Sequence, residues 1–333
     1  MATFVMQALG CDVAAINTVN FSNHTGYRRF QGTRATAEEI TNLWNGLKSS
    51  YLTDFSVLLS GYCPSAAVVN AVGVIARELR LRSELSPGDF FWVLDPVMGD
   101  QGKLYVAEEE VDAYGQLAGQ ADLVLPNQFE LELLAGLEVG SIGKGGMKSC
   151  VEAMGKLHAT GVSHIVVTSI RVEGQGEDEL QVVGSSVNSK GEGRYFVVKV
   201  PKLDCFFSGT GDMFAGLMVA RLREECEQQG TLRQRAWMSD DGVGPADLPL
   251  ARATEKVLSS MQMVLEKTMT ARDEQMAHFG QSPGASIGGL DGDQISTEED
   301  RRYLAQTQAA EVRVVRNQKD LLEPDERYKA EAV

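Results

Sequence analysis

The run Ser208-Gly209-Thr210-Gly211-Asp212 carries the chemistry most easily read from this chain. Two glycines let the backbone turn tightly enough for several N–H groups to face one point. Met213, Phe214, Leu217, Met218 and Leu222 then recur at helical spacing, so the turn opens a helix. The first turn of a helix presents unpaired N–H donors and the positive end of the dipole, a seat for phosphate. Asp212 is a poor phosphate ligand, because its charge repels one. It suits a different task, taking the proton from a hydroxyl that attacks phosphorus. Capping the helix is the structural alternative, and the turn alone does not choose.

Other polar residues fall at regular points. Apolar runs end in Ser60-Gly61-Tyr62, in Asp95-Pro96-Val97-Met98-Gly99-Asp100, in Pro126-Asn127 and in Thr168-Ser169. In open α/β sheets the ligand crevice lies beyond the carboxyl ends of the strands. Tyr62, Asp95, Asp100, Asn127, Thr168 and Asp212 are therefore expected to converge. Asn127 and Glu130 fit a helix N-cap with its reciprocal glutamate. They fit equally a strand-end pair that helps hold a hydrated divalent cation and phosphate. The polar segment 20–27 (NFSNHTGY) reads as a loop that could wall a pocket, and His24 within it reads as a satisfied histidine rather than a base.

The elements that must position these residues alternate. Ala2 to Leu9 reads as a helix end, with Gly10 closing it, and Val13 to Val19 as a strand. Ala37 to Leu52 and Ala66 to Leu81 read as helices. Strands are expected at Phe55 to Leu59, Phe90 to Leu94, Ala121 to Leu125 and His164 to Val167, apolar enough to be buried on both faces of a parallel sheet. Gly140 to Ser149 resembles a P-loop but puts Met147 where that motif needs glycine, and reads as a surface loop leading into a helix around Val151 to Leu157. Glu179 to Val187 and Arg194 to Val200 read as an antiparallel pair at a sheet edge. Thr254 to Met269 reads as a helix whose methionines fill core.

Composition narrows the class. The 333 residues, 43% hydrophobic, suffice for one large α/β core. A net charge of −15, from 46 acids against 31 bases, argues against nucleic acid as a partner. No apolar run is long enough to span a membrane. Five scattered cysteines without C-x-x-C spacing read as reduced thiols of a cytosol-like compartment.

Taken together, NFSNHTGY, LLSGYC, DPVMGDQGKLYV, LPNQFELELL, VVTS and SGTGDMFAG, in this order, resemble the pyridoxal kinases of the ribokinase-like superfamily. The resemblance covers residues 2–270 and returns around 312–324. It implies one three-layer α/β/α kinase domain over 1–333 with a mostly parallel central sheet, a core of 1–270, a loop insertion at 230–249, a disordered linker at 280–298 and a C-terminal segment at 299–333 that returns to the core. It implies ATP-dependent phosphorylation of the 5′-hydroxymethyl group of pyridoxal, pyridoxine or pyridoxamine by a cytoplasmic homodimer, with the nucleus as an additional compartment. Asp212 matches the family's base, and Gly209, Thr210 and Gly211 its anion hole. Thr25 and Tyr62 match the vitamer pocket. Asp95, Asp100, Tyr105, Asn127, Glu130, Thr168, Ser169, Leu203, Asp204, Cys205 and Thr210 match nucleotide positions, with Asp95, Glu130 and Thr168 at the divalent cation, Mg²⁺ by resemblance.

Two departures follow. Leu125 stands where the family carries a threonine that helps bind a monovalent cation. Family members also begin earlier, with an interior strand, a ring-contacting serine and a glycine turn that this sequence does not show. That departure supports a rival expectation, an impaired member acting only in dimerisation or ligand binding. A second rival is a related kinase of another hydroxymethyl compound such as hydroxymethylpyrimidine.

Overall fold

The computed structural model describes residues 1–171, 178–279 and 297–333. In chain order the elements begin with α1 (Ala2–Ala8), the hairpin β1 (Val19–Phe21) and β2 (Gly32–Arg34), α2 (Ala37–Ser49), β3 (Val57–Ser60), α3 (Ala66–Arg82) and β4 (Phe91–Leu94). A small hairpin, β5 (Gly99–Asp100) and β6 (Lys103–Leu104), precedes α4 (Glu108–Ala118), β7 (Leu123–Val124), α5 (Gln128–Leu134), α6 (Ser141–His158) and β8 (His164–Ile170). β9 (Glu179–Val187), β10 (Gly193–Pro201), α7 (Thr210–Gln228), α8 (Pro249–Ala277), α9 (Glu298–Ala309), α10 (Gln318–Leu322) and β11 (Glu331–Ala332) complete the described chain.

The main sheet runs β11-β10-β9-β8-β7-β4-β3. Its β3, β4, β7 and β8 are parallel, while β9, β10 and β11 are antiparallel additions at one side. Alternation along β4 shows why two helical layers are needed. Phe91 and Val93 enter one core with α1, α7 and α8, whereas Trp92 and Leu94 enter the other with α2, α3, α4 and α6. The architecture is thus three-layer α/β/α. From beyond the linker, Val314 and Leu321 pack into the first core.

Several sequence expectations need correction. Residues 13–18 form no strand; β1 starts at Val19 and pairs only with β2, Val19 opposite Arg34. A strand requires a ladder partner, and this half-exposed stretch finds none among the described residues. The 140–149 run is not a loop, because α6 starts at Ser141 and includes it. The helix starts there because the buried Glu132 carboxylate accepts from Gly140 N–H (2.7 Å) and Ile142 N–H (2.8 Å), supplying a cap from another element. Gly146, at φ 64°, absorbs a kink inside it. α8 is longer than the 254–269 expected, with Pro249 in its first turn, where a missing N–H costs nothing. β8 continues through Thr168 and Ser169 to Ile170, with a register irregularity between Val167 and Ile170. The expected linker at 280–298 falls largely outside the described residues; Glu298 already lies in α9.

Candidate active site

The glycine turn sits where α7 meets the sheet. Gly209 is the residue before the helix, at φ 81°, a conformation that disfavours side chains, and Met213 N–H makes the first helical bond to its carbonyl (3.0 Å). Asp212 lies in the first turn. Its carboxylate makes no hydrogen bond and no ion pair among the described residues, to the turn's own amides or elsewhere; only the Met1 amino group pulls on it electrostatically. The side chain reaches water yet has protein on most sides. Loss of hydration raises its pKa above the ordinary value, and the Met1 amino group offsets part of that.

Asp95 arrives from the end of β4. A Cβ on Gly211 would lie 3.8 Å from its Oδ2, so the strand end and the glycine turn are neighbours. Asp95 is 8% exposed, and its pKa is pushed well above the usual range, first by burial, then by the charges of Glu130 and Asp212. Asp100, on β5, adds its charge to that of Glu130. The side chains of Asp95, Asp100, Glu130 and Asp212 form no ion pair among the described residues. Neighbouring carboxylates whose charges raise one another's pKa, with only the Met1 amino group offsetting at Asp212, leave a deficit of positive charge, which a cation would fill.

Asn127 and Glu130 form the helix cap that their spacing allowed. Asn127 Oδ1 accepts from Glu130 N–H and Glu130 Oε2 from Asn127 N–H, each at 2.9 Å, a complete capping box on α5. Beyond it, Glu130 Oε1 accepts from Met98 N–H (2.9 Å) and Gly99 N–H (3.4 Å), and Asn127 Nδ2 donates to Gly99 O (2.7 Å). The pair therefore clamps the 98–99 backbone beside Asp100. Burial pushes Glu130 up to about 7 against those backbone bonds. Thr168 N–H donates to Pro126 O (3.0 Å), which brings Thr168 and Ser169 next to Asn127 at the irregular end of β8.

The remaining predicted positions are placed less centrally. Tyr62 follows β3, half-buried, its carbonyl accepting from Thr18 Oγ1 (2.7 Å). Tyr105 is 61% exposed after the β5–β6 hairpin, near the charges of Asp100 and Glu130. Leu203, Asp204 and Cys205 lie between β10 and the turn, where Arg272 of α8 approaches the Asp204 carbonyl and the Cys205 side chain. Leu125 is buried in the first core, its N–H bonded to Leu94 O (2.9 Å). Among the described residues no three acidic, histidine or cysteine side chains could hold a metal by themselves. No helix is long and apolar enough to cross a membrane among them, and all five cysteines are free. A cavity of about 180 Å³ beside Arg80, Trp92 and Asp122 opens at the strands' amino ends, away from this crevice.

Thr25 is exposed in a short turn, residues 25–27, whose His24 Nδ1 accepts from Gly26 N–H (3.1 Å). A Cβ on Gly26 would lie 3.6 Å from Phe206, three residues before Gly209, so this loop borders the glycine turn. Phe206, Tyr303 and Glu311 were not singled out in the sequence. Phe206 had a signal, an aromatic next to the glycine turn, but nothing local marks the other two.

A family model described as phosphomethylpyrimidine kinase matches residues 67–235. The sheep pyridoxal kinase (Ovis aries) is 32% identical, over 80% of this chain and 92% of its own length. That of Arabidopsis thaliana is 30% identical over 99% of this chain and 88% of its own. The chain belongs to the pyridoxal kinase family. Among solved structures, a pyridoxal kinase from Leishmania donovani in complex with ADP and pyridoxamine superposes with a TM-score of 0.75 at 28% identity, covering all of this chain and 93% of that one. The pyridoxal kinase fold accounts for both the parallel strands and the glycine turn at their carboxyl ends.

Proposed function

We propose that this chain transfers the γ-phosphoryl group of ATP to the 5′-hydroxymethyl group of pyridoxal, and of pyridoxine and pyridoxamine, with Asp212 as general base. The observation that carries this reading is the partnerless Asp212 carboxylate on the glycine turn, in a chain of this family. A primary alcohol is a weak nucleophile at neutral pH. As its oxygen forms the bond to phosphorus and the bond to the ADP oxygen breaks, the hydroxyl proton passes to Asp212; positioned proton transfer of this kind contributes roughly 10²–10⁴-fold. Amides of Gly209, Thr210 and Gly211 face the charge on the transferring group. Thr25 and Tyr62 contact the vitamer in this reading. Tyr105, Leu203, Asp204, Cys205, Thr168 and Ser169 surround the nucleotide.

The charge deficit around Asp95 and Glu130 fits a divalent cation, with Mg²⁺ the natural partner of ATP. Mg²⁺ keeps most of its waters and takes only one or two carboxylates beside the phosphates, so a closed protein cage is not needed. When bound, it neutralises phosphate charge. Asp95 is the direct candidate; Glu130, with both oxygens already accepting from backbone amides, and Thr168 act through water. Leu125 brings no oxygen, so a monovalent cation would lack that ligand here. Homodimerisation belongs to the same proposal, to be read by light scattering.

The test is turnover. Purified protein with ATP, Mg²⁺ and pyridoxal should release the 5′-phosphate and ADP, with hydroxymethylpyrimidine as the competing substrate. A folded sample that binds ATP and turns over neither compound overturns the reading in favour of a non-catalytic protein; preference for the pyrimidine overturns the substrate.

A further inference from the structure

The loop that carries Thr25 is fastened from the far end of the chain. Tyr303, on α9, donates its hydroxyl to Gly26 O at 2.6 Å. The Arg28 guanidinium lies over the same Tyr303 ring, 4.0 Å from its centre. Glu311, just past α9, accepts from Tyr27 Oη (2.9 Å) on Oε1, and His24 Nε2 lies 3.3 Å from the same oxygen. Because His24 Nδ1 accepts from Gly26 N–H, the network assigns an imidazole proton to Nε2, the nitrogen that faces Glu311. The His24 and Tyr27 rings pack with centres 4.6 Å apart. Loss of hydration, then Glu311, push the Tyr27 phenol up to about 12, so it remains a donor at neutral pH.

The fastening end is itself anchored. Ala305 and Ala309 of α9 and the following Ala310 are buried, and Arg313 N–H donates to Thr268 Oγ1 of α8 (3.2 Å). On its other side the loop runs beside Phe206, 3.6 Å from where Gly26 would carry a Cβ, and Phe206 leads into the Gly209 turn. Residues from the second half of the chain thus hold the vitamer-side loop against the catalytic turn.

We infer that Tyr303 and Glu311 are positioning residues for the phosphoryl acceptor: they latch residues 24–28 in the conformation that receives it, and neither touches it. The inference rests on the proposed kinase reading for the meaning of Thr25, but the latch itself is testable apart from activity. A bond to a loop that would otherwise sample other conformations is felt in acceptor binding, not in ATP binding or in the chemical step.

Two variants separate the latch from general stability. Tyr303→Phe keeps the ring under Arg28 and removes only the O–H. Glu311→Leu removes the shared acceptor, whereas Glu311→Gln restores an acceptor oxygen. Combining Tyr303→Phe with Glu311→Leu should raise KM for pyridoxal about tenfold while KM for ATP and kcat stay within about twofold, and Glu311→Gln alone should stay near wild type. Amide exchange at Gly26, Tyr27 and Arg28, each hydrogen-bonded within the turn, should accelerate in the double variant while that of α7 does not. Unchanged exchange at 26–28 overturns the latch. Faster exchange with equal rises in both KM values, or with kcat falling alone, overturns the positioning role and leaves a structural tie. If the wild type turns over no vitamer, the kinase reading fails while the exchange experiment still decides the latch.

Discussion

Oδ2 of Asp95 lies 3.8 Å from where Gly211 would carry a Cβ. That approach joins the end of β4 to the first turn of α7, so the most desolvated carboxylate of the crevice and the phosphate-ready amides share one wall. A side chain at 211 would occupy the space between them. Burial is the larger cause of the raised Asp95 pKa, and the Asp212 charge adds to it after that of Glu130.

Asp212→Asn keeps the shape of the turn and removes the proton acceptor. It should lower kcat by roughly 10²–10⁴-fold with ATP affinity nearly unchanged. Single-turnover rates and nucleotide titration on the same sample check this. A kcat within a few-fold of wild type would remove Asp212 as base.

With Asp212 as the proposed base, its raised pKa should set the acid side of the rate profile. A base works only when deprotonated, so kcat/KM should fall as pH drops through a midpoint above the usual aspartate value of about 3.9. Initial rates at saturating ATP across the acid range locate it. A midpoint at or below that value contradicts the desolvated setting.

Glu132 is 1% exposed and caps α6 from another helix through two backbone amides. Glu132→Ala leaves both without partners, at about 1–3 kcal/mol for the buried Ile142 N–H and less for the half-buried Gly140 N–H. Urea denaturation should show a loss of about 2–4 kcal/mol at unchanged slope. A loss below about 0.5 kcal/mol, the size of an ordinary surface change, would mean that water replaces the carboxylate.

His164, buried in β8, bonds Ser186 Oγ and Ala236 O, each at 2.7 Å, and burial lowers its pKa to about 4. The unfolded chain therefore takes up a proton near pH 6.5 that the folded one refuses until about pH 4. Stability should fall as pH drops across that window, by about 3 kcal/mol at most from this residue. Comparing wild type with His164→Gln by urea melts from pH 7 to 4 tests it. Their stability difference should shrink on acidification; a constant difference would refute the depressed pKa.

Local chemistry made much of the site readable in advance. Strand ends, the Asn127–Glu130 cap and the glycine turn are each written within a few residues, because turns, caps and buried strands obey short-range rules. Residues 13–18 misled for the opposite reason: an apolar stretch becomes a strand only when another strand faces it. The glycines at 143, 145 and 146 hid α6, since the group that starts this helix is Glu132, outside the window that local pattern reads.

By itself the sequence determined the alternation of helix and parallel strand, and the residue types that could activate a hydroxyl beside a phosphate seat, because both depend on periodicity and on backbone freedom at single residues. Only the tertiary structure decided that the Asp212 side chain has no hydrogen bond or ion pair among the described residues, that Asp95 approaches Gly211, and that Tyr303 and Glu311 reach the loop at 24–28. Burial and proximity between distant segments are properties of the packed chain; no spacing along the sequence encodes them.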